Sequence, residues 1–95
     1  MTDLEISKAL ALAIGWKDAD FMPYPTHLVI YKKRHFARRF DYRDWNVIGP
    51  IAERFDAFPR MITQAHWSAC AGFNTSAYGN TPQKAIALAV IGAKK

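Results

Sequence analysis

The sequence lacks the features that most enzyme classes use for their chemistry. It contains a single cysteine, Cys70, so no disulfide can form within the chain, which favours a reducing compartment. Its five glycines are scattered singly, which excludes a glycine-rich loop of the kind that cradles phosphate groups. The sequence also has no G-x-S-x-G, P-loop or H-E-x-x-H motif. We therefore predict a protein that is not an enzyme and binds no cofactor.

Potential metal ligands are also few. His66 and Cys70 lie in a predicted strand, where their spacing would put them on one face about 13 Å apart. Zinc needs its ligands about 2 Å from a common point, commonly in sets of four. We therefore expect no metal site. Cys70 has small or apolar neighbours and no adjacent cation in the sequence, so we expect a buried structural thiol rather than a reactive one.

Long apolar runs are missing as well. The longest run, Ala85–Ile91, is far shorter than the ~20 residues that a membrane-spanning helix needs. The first residues include Thr2, Asp3 and Glu5 and lack the positive charge that opens a signal peptide. We therefore expect one domain that does not associate with membranes and resides in bacterial cytoplasm.

Acidic residues are scarce relative to basic ones, and the imbalance is confined to one window. The segment Lys32–Arg43 (KKRHFARRFDYR), called the basic segment below, carries a net charge of +5, which equals that of the whole chain. Charge concentrated in this way can steer an acidic partner from beyond contact range. A strand edge that resists edge-to-edge pairing is the alternative, although solubility alone does not require segregated charge. The predicted binding residues are Lys32, Lys33, Arg34, His35, Arg38, Arg39, Tyr42 and Arg43.

The first predicted helix has clear signals at both ends. Thr2 and Glu5 fit a capping box, and apolar residues recur at helical spacing until Ala13. Gly15 provides a left-handed stop. The following stretch, Lys17–Pro25, is predicted to be a loop.

A basic hairpin is predicted next. Its strands are His27–Tyr31 and Phe36–Phe40, with Lys32–His35 as the tip. Arg38 lies between the two phenylalanines of the second strand on one face, an arrangement that requires a bulge or an edge position.

A second helix should begin near Asp44 or Asn46 and close before Pro59. Pro50 is compatible with that helix only within about its first turn, because proline lacks a donor and crowds the preceding turn. A second hairpin follows, in which Met61–Ala71 forms one strand and Thr75–Tyr78 the return after a turn at Gly72–Asn74.

The last helix is predicted from Thr81 as N-cap, Pro82 at the first position and Gly92 just past the end. Its body is apolar on nearly every side, which is typical of a broadly buried helix. The resulting order, α-β-β-α-β-β-α, predicts an α+β domain in which a small antiparallel sheet of two hairpins packs with three helices.

Four stretches of the chain occur in the order found in small phage and prophage proteins. They are LEISKALALAIGW at residues 4–16, DYRDWNVIGPIAERFDAF at 41–58, the Trp67-Ser68-Ala69 strand, and NTPQKAIALAVIGAKK at 80–95. On these stretches the chain resembles the phage ABA-sandwich family and, less closely, the lambdoid Nin-region X type of protein. The resemblance implies phage origin, an α/β sandwich and no catalytic residues to carry over.

Together these observations lead to two hypotheses from different classes. The first is a phage-encoded binding protein in the host cytoplasm that engages an acidic surface of a host protein complex and inhibits host defence or processing. The second is a nucleic-acid-binding module whose basic residues contact phosphates, with Phe36, Phe40 or Tyr42 available for base stacking. A bound small ligand is a third possibility, and the oligomeric state stays open.

Overall fold

The computed structural model describes residues 2–17, 20–22, 24, 28–32, 36–71 and 76–93, with the side chains of residues 32, 36 and 37 excepted. Within these ranges the chain forms three helices and six strands. In chain order they are α1 (Asp3–Ala13), β1 (Phe21–Met22), β2 (Val29–Lys32), β3 (Phe36–Arg39), α2 (Trp45–Phe55), β4 (Pro59–Thr63), β5 (His66–Cys70), β6 (Ser76–Gly79) and α3 (Pro82–Ala93). The predicted α+β class is therefore confirmed.

The strands of the described residues form two antiparallel sheets rather than one. The first sheet has the order β1-β2-β3 and the second the order β4-β5-β6. β1 lies in the stretch predicted to be a loop. The single strand predicted over Met61–Ala71 is wrong, because the chain reverses at Gln64 and Ala65. The pairing register between β4 and β5 shifts between Met61 and Thr63. Such an irregularity increases the local twist of the strand, and here it lies next to a chain reversal that contains no glycine.

α1 ends in a Schellman motif, as Gly15 predicts. Gly15 has a φ of 112° and donates to the Leu12 carbonyl, while Trp16 donates to the carbonyl of Ala11. At the other end, the Thr2–Glu5 capping box is confirmed. The C-terminal motif sets the direction in which the backbone leaves the helix at Trp16.

α2 begins at the N-cap Asp44, whose side chain accepts from the Asn46 amide at 2.9 Å. Pro50 is the sixth residue of this helix and lies in its interior, beyond the first turn to which the sequence would confine it. Pro50 has no N–H to donate to the carbonyl of Asn46 four residues earlier. The helix ends at Asp56, which takes a left-handed conformation with a φ of 52°.

α3 forms the centre of the core. It packs against the second sheet and also against α1 and α2. Its N-cap Thr81 accepts from the amide of Lys84, as predicted, whereas Gly92 lies inside the last turn rather than past it. Ile86 and Val90 are fully buried. α3 has 12 residues, and no helix in the described part of the chain combines the length and apolar character needed to cross a bilayer.

Candidate functional site

The basic segment runs through β3 to the residue before the N-cap of α2. β3 pairs with β2 alone among the described strands and forms an edge of the first sheet, which is the edge position that the sequence pattern requires. Lys33, Arg34 and His35 lie outside the described residues. The backbone of Lys32 pairs with that of Phe36 at the end of the ladder nearest the tip.

Arg38 and Arg39 lie on opposite faces of the first sheet. Arg39 is paired with Val29, whereas Arg38 is paired with the buried Ile30, and paired residues share a face. The Arg39 side chain is 64% exposed and stands 4.0 Å from Asp41. Arg38 is exposed too, although it occupies the face that carries the core residues. The two adjacent arginines therefore meet different surroundings.

Tyr42 holds the end of the basic segment against α1. Its ring is only 2% exposed, its hydroxyl donates to Asp3 at 2.5 Å, and its amide donates to the hydroxyl of Ser7 at 3.2 Å. Burial and the hydrogen bond to Asp3 together raise the pKa of Tyr42. Tyr42, which we predicted to be a contact residue, is therefore an anchor, and its ring is not available to stack.

Arg43 is held between two carboxylates. Its guanidinium makes a two-pronged contact with Asp41, at 3.0 and 2.8 Å, and reaches Asp3 at 3.1 Å. The hydrogen bond from Arg43 lowers the pKa of Asp41, and the same pairing raises the pKa of Arg43. Arg43 was also predicted to contact a partner, but much of its charge is satisfied within the protein.

The aromatic side chains beside the basic segment divide into two groups. Phe40 and Tyr42 are buried in the core. Tyr31 on β2 and Trp45 at the start of α2 are 44% and 51% exposed. Of the aromatics that the nucleic-acid hypothesis assigned to stacking, two are therefore unavailable, and the Phe36 side chain lies outside what the structure describes.

The remaining candidates lie on the second sheet. Cys70 is exposed, so our prediction of a buried thiol is wrong; it lies on the sheet face opposite to that of its buried neighbour Ala69. The His66 ring contacts Tyr78 edge-on, with 5.4 Å between ring centroids. Within the described ranges, no three His, Cys, Asp or Glu side chains group closely enough to hold a metal ion.

A cavity of about 190 Å³ lies behind the first sheet and was not predicted from the sequence. Its walls come from the end of α1, from the core-facing side of the first sheet and from α2, and they are mostly apolar. Two sequence signals point to it in retrospect. One is Arg38 between two phenylalanines, and the other is Pro50 within a helical pattern; both side chains line the cavity.

The comparisons with known proteins add no family. No protein-family model matches the sequence, and no curated protein matches it either.

Proposed function

We propose that this protein is a non-enzymatic, phage-encoded binding protein whose basic segment engages an acidic surface of a host protein complex, and that it inhibits a host defence or processing complex. The observation that carries the proposal is the anchoring of the segment. Residues 40–43 are fixed to the core and to α1, while Arg38 and Arg39 at the adjoining strand edge stay exposed.

Anchoring matters because a partner then does not need to order the binding residues. Association costs about 0.5–1.5 kcal/mol for each long side chain that it immobilises, and ordering a mobile backbone adds to that cost; a backbone that is already fixed avoids the added part. The Tyr42 contacts with α1 fix the backbone on the α2 side of β3, and the ladder with β2 fixes the strand itself. Excess charge on such a base increases the association rate and selects partners of opposite sign.

A protein partner is favoured over a nucleic acid by the burial of Phe40 and Tyr42. Single-stranded nucleic acids are held largely by bases stacked on aromatic rings, with about 1–3 kcal/mol for each base. With these two rings in the core, the basic segment offers charge and hydrogen-bond donors, which suit the carboxylates of an acidic protein surface.

The test compares two variants of equal net charge in affinity purification from a bacterial lysate. Lys33→Gln, Arg34→Gln and Arg39→Gln together remove three charges from the basic segment. The control removes three charges elsewhere, through Lys8→Gln, Lys17→Gln and Arg60→Gln, all at exposed positions. We expect the wild type and the control to retain a stoichiometric protein partner and the segment variant to lose it.

Failure to recover any stoichiometric protein at several salt concentrations would refute the proposal. Equal loss in both variants would also refute it, because net charge rather than the basic segment would then govern binding.

The nucleic-acid alternative is supported by Tyr31, which is exposed on the sheet that also carries Arg39. Because Arg43 already pairs with two carboxylates, five basic residues of the segment remain for phosphate contacts. Five contacts correspond to a slope of about −4.5 for log K against log salt concentration on B-DNA. A titration of duplex and single-stranded oligonucleotides that gives this slope would favour the alternative, and absence of binding at low salt would exclude it.

A further inference from the structure

The cavity behind the first sheet combines apolar walls with one charged side chain. Ile14 and Trp16 close it from the end of α1, and Val47 and Ile51 close it from α2. Arg38 also lines it, from the core-facing side of β3. Apolar walls with a small number of convergent polar or charged groups are typical of small-molecule sites.

Arg38 is the feature that the fold itself does not explain. It is paired with Ile30, which is 4% exposed, on a sheet face whose other described members belong to the core. Asp41 lies 4.0 Å from Arg39 and contacts Arg43, but Arg38 forms no ion pair with any residue that the structure describes. A guanidinium beside apolar walls attracts an anion, and its planar fork of donors matches a carboxylate.

A second unfavourable feature lines the same cavity. Pro50 interrupts the hydrogen bonding of α2, and both Pro50 and Asn46, whose carbonyl lacks that donor, are lining residues. Departures from local sequence rules that bring no gain in stability are concentrated at functional sites. In this domain two such departures, from different elements, meet at one cavity.

We propose that this cavity binds a small amphipathic carboxylate, with an aromatic ring or short branched hydrocarbon among the apolar side chains and the carboxylate on Arg38. The volume of about 190 Å³ sets the size, because an apolar cavity of roughly 150 Å³ already holds benzene. One ring with a short acidic side chain therefore fits. The site does not depend on the partner proposed above.

The test is a titration with 3-phenylpropionate, followed by NMR at the indole N–H of Trp16. Trp45 and Trp67 are internal references, because neither lines the cavity. The neutral 3-phenylpropanamide has the same shape without the charge, and acetate has the charge without the ring. We expect a saturable shift of the Trp16 signal with 3-phenylpropionate, binding at least tenfold weaker with the amide, and no saturation with acetate.

Two substitutions on one strand separate the site from general electrostatics. Arg38→Met removes the charge from the cavity and should weaken 3-phenylpropionate binding at least tenfold. Arg39→Met removes the neighbouring charge on the opposite face and should change the affinity less than twofold. The wild-type comparison between acid and amide stands even if a variant fails to fold. The proposal would be overturned if the acid and the amide bound equally well, or if the two substitutions had equal effects on the affinity. It would also be overturned if the Trp16 signal showed no saturable shift up to about 10 mM 3-phenylpropionate, because a dissociation constant above that concentration corresponds to very weak binding.

Discussion

Pro50 provides the sharpest test of the energetics of this fold, because replacing it with alanine should stabilise the protein. An interior helical proline costs about 3 kcal/mol relative to alanine, through the missing donor and the crowding of the preceding turn. Proline offsets about 0.4–1 kcal/mol of this cost, because it reduces the conformational entropy of the unfolded chain. Pro50 is exposed, so a smaller side chain leaves little buried space. Pro50→Ala should therefore raise the free energy of unfolding by about 2 kcal/mol.

Gly49 makes this prediction more specific. A Cβ atom on Gly49 would meet no atom within 4 Å other than those of its chain neighbours and of the nearby backbone of α2. However, the ring of Pro50 follows it, and proline disfavours a helical conformation for a preceding residue that has a Cβ. Gly49→Ala should therefore gain little in the wild type, but about 0.5–1 kcal/mol once Pro50 is alanine, through the ordinary helix preference for alanine.

Urea titrations followed by circular dichroism measure both effects, and a melt gives a check. For a domain of this size each kcal/mol corresponds to roughly 4–8 °C in Tm, so Pro50→Ala should add roughly 8–16 °C. The reasoning is refuted if Pro50→Ala destabilises the protein, or if Gly49→Ala has the same effect in both backgrounds. A constant slope of free energy against urea shows that stability, not compactness, has changed.

Four further predictions concern other parts of the molecule. Gly79→Ala should lower the free energy of unfolding by about 1–3 kcal/mol through overpacking, because the added Cβ would lie 2.9 Å from the Ala85 amide nitrogen; a urea denaturation curve that matches wild type would contradict this. Tyr42→Phe should cost about 0.5–1.5 kcal/mol by removing the hydrogen bond to Asp3, measured in urea against Tyr31→Phe at an exposed position. Asp56→Gly should raise Tm, since a left-handed residue other than glycine is strained, and a lowered Tm would disprove that account. The lowered pKa of Asp41 contributes stability above the pKa of the unfolded chain, and that contribution is lost as pH falls through the lower folded pKa. The stability deficit of Asp41→Asn relative to wild type should therefore be largest at neutral pH and shrink steadily in urea titrations at increasingly acidic pH, and a deficit that does not change with pH would contradict this account.

Features that depend on neighbouring residues were predicted from the sequence more accurately than features that depend on distant parts of the chain. The Thr2–Glu5 capping box, the left-handed Gly15 and the N-caps of α2 and α3 depend on neighbouring residues and are confirmed. The predicted stop of α3 before Gly92 is wrong, because the helix continues to Ala93. The chain reversal at Gln64 and Ala65 was missed because alternation continues across it and no turn-forming pair marks it. β1 was missed because a strand of two residues directly before Pro23 carries almost no pattern.

The candidate site follows the same division. The charge of the basic segment can be counted from the sequence. The contacts that hold Tyr42 and Arg43 cannot, because both join the segment to Asp3, about forty positions away. No periodicity or spacing rule reaches over that distance. The position of Arg38 on the core-facing side could be inferred from its phenylalanine neighbours, whereas the cavity behind it required three elements to be placed together.

The central position of α3 has a consequence for the order in which the molecule folds. The second sheet, α1 and α2 all pack against this helix, which follows every one of them in the chain. Until α3 is present, the second sheet, α1 and α2 lack the surface that buries their apolar faces, and an isolated hairpin is at best marginally stable in water. During synthesis the preceding elements should therefore remain unfolded or loosely collapsed, and the core should form in one late step. A fragment of residues 1–80 should accordingly show rapid amide hydrogen exchange throughout, and adding a peptide of residues 80–95 should restore protection in α1 and the second sheet together.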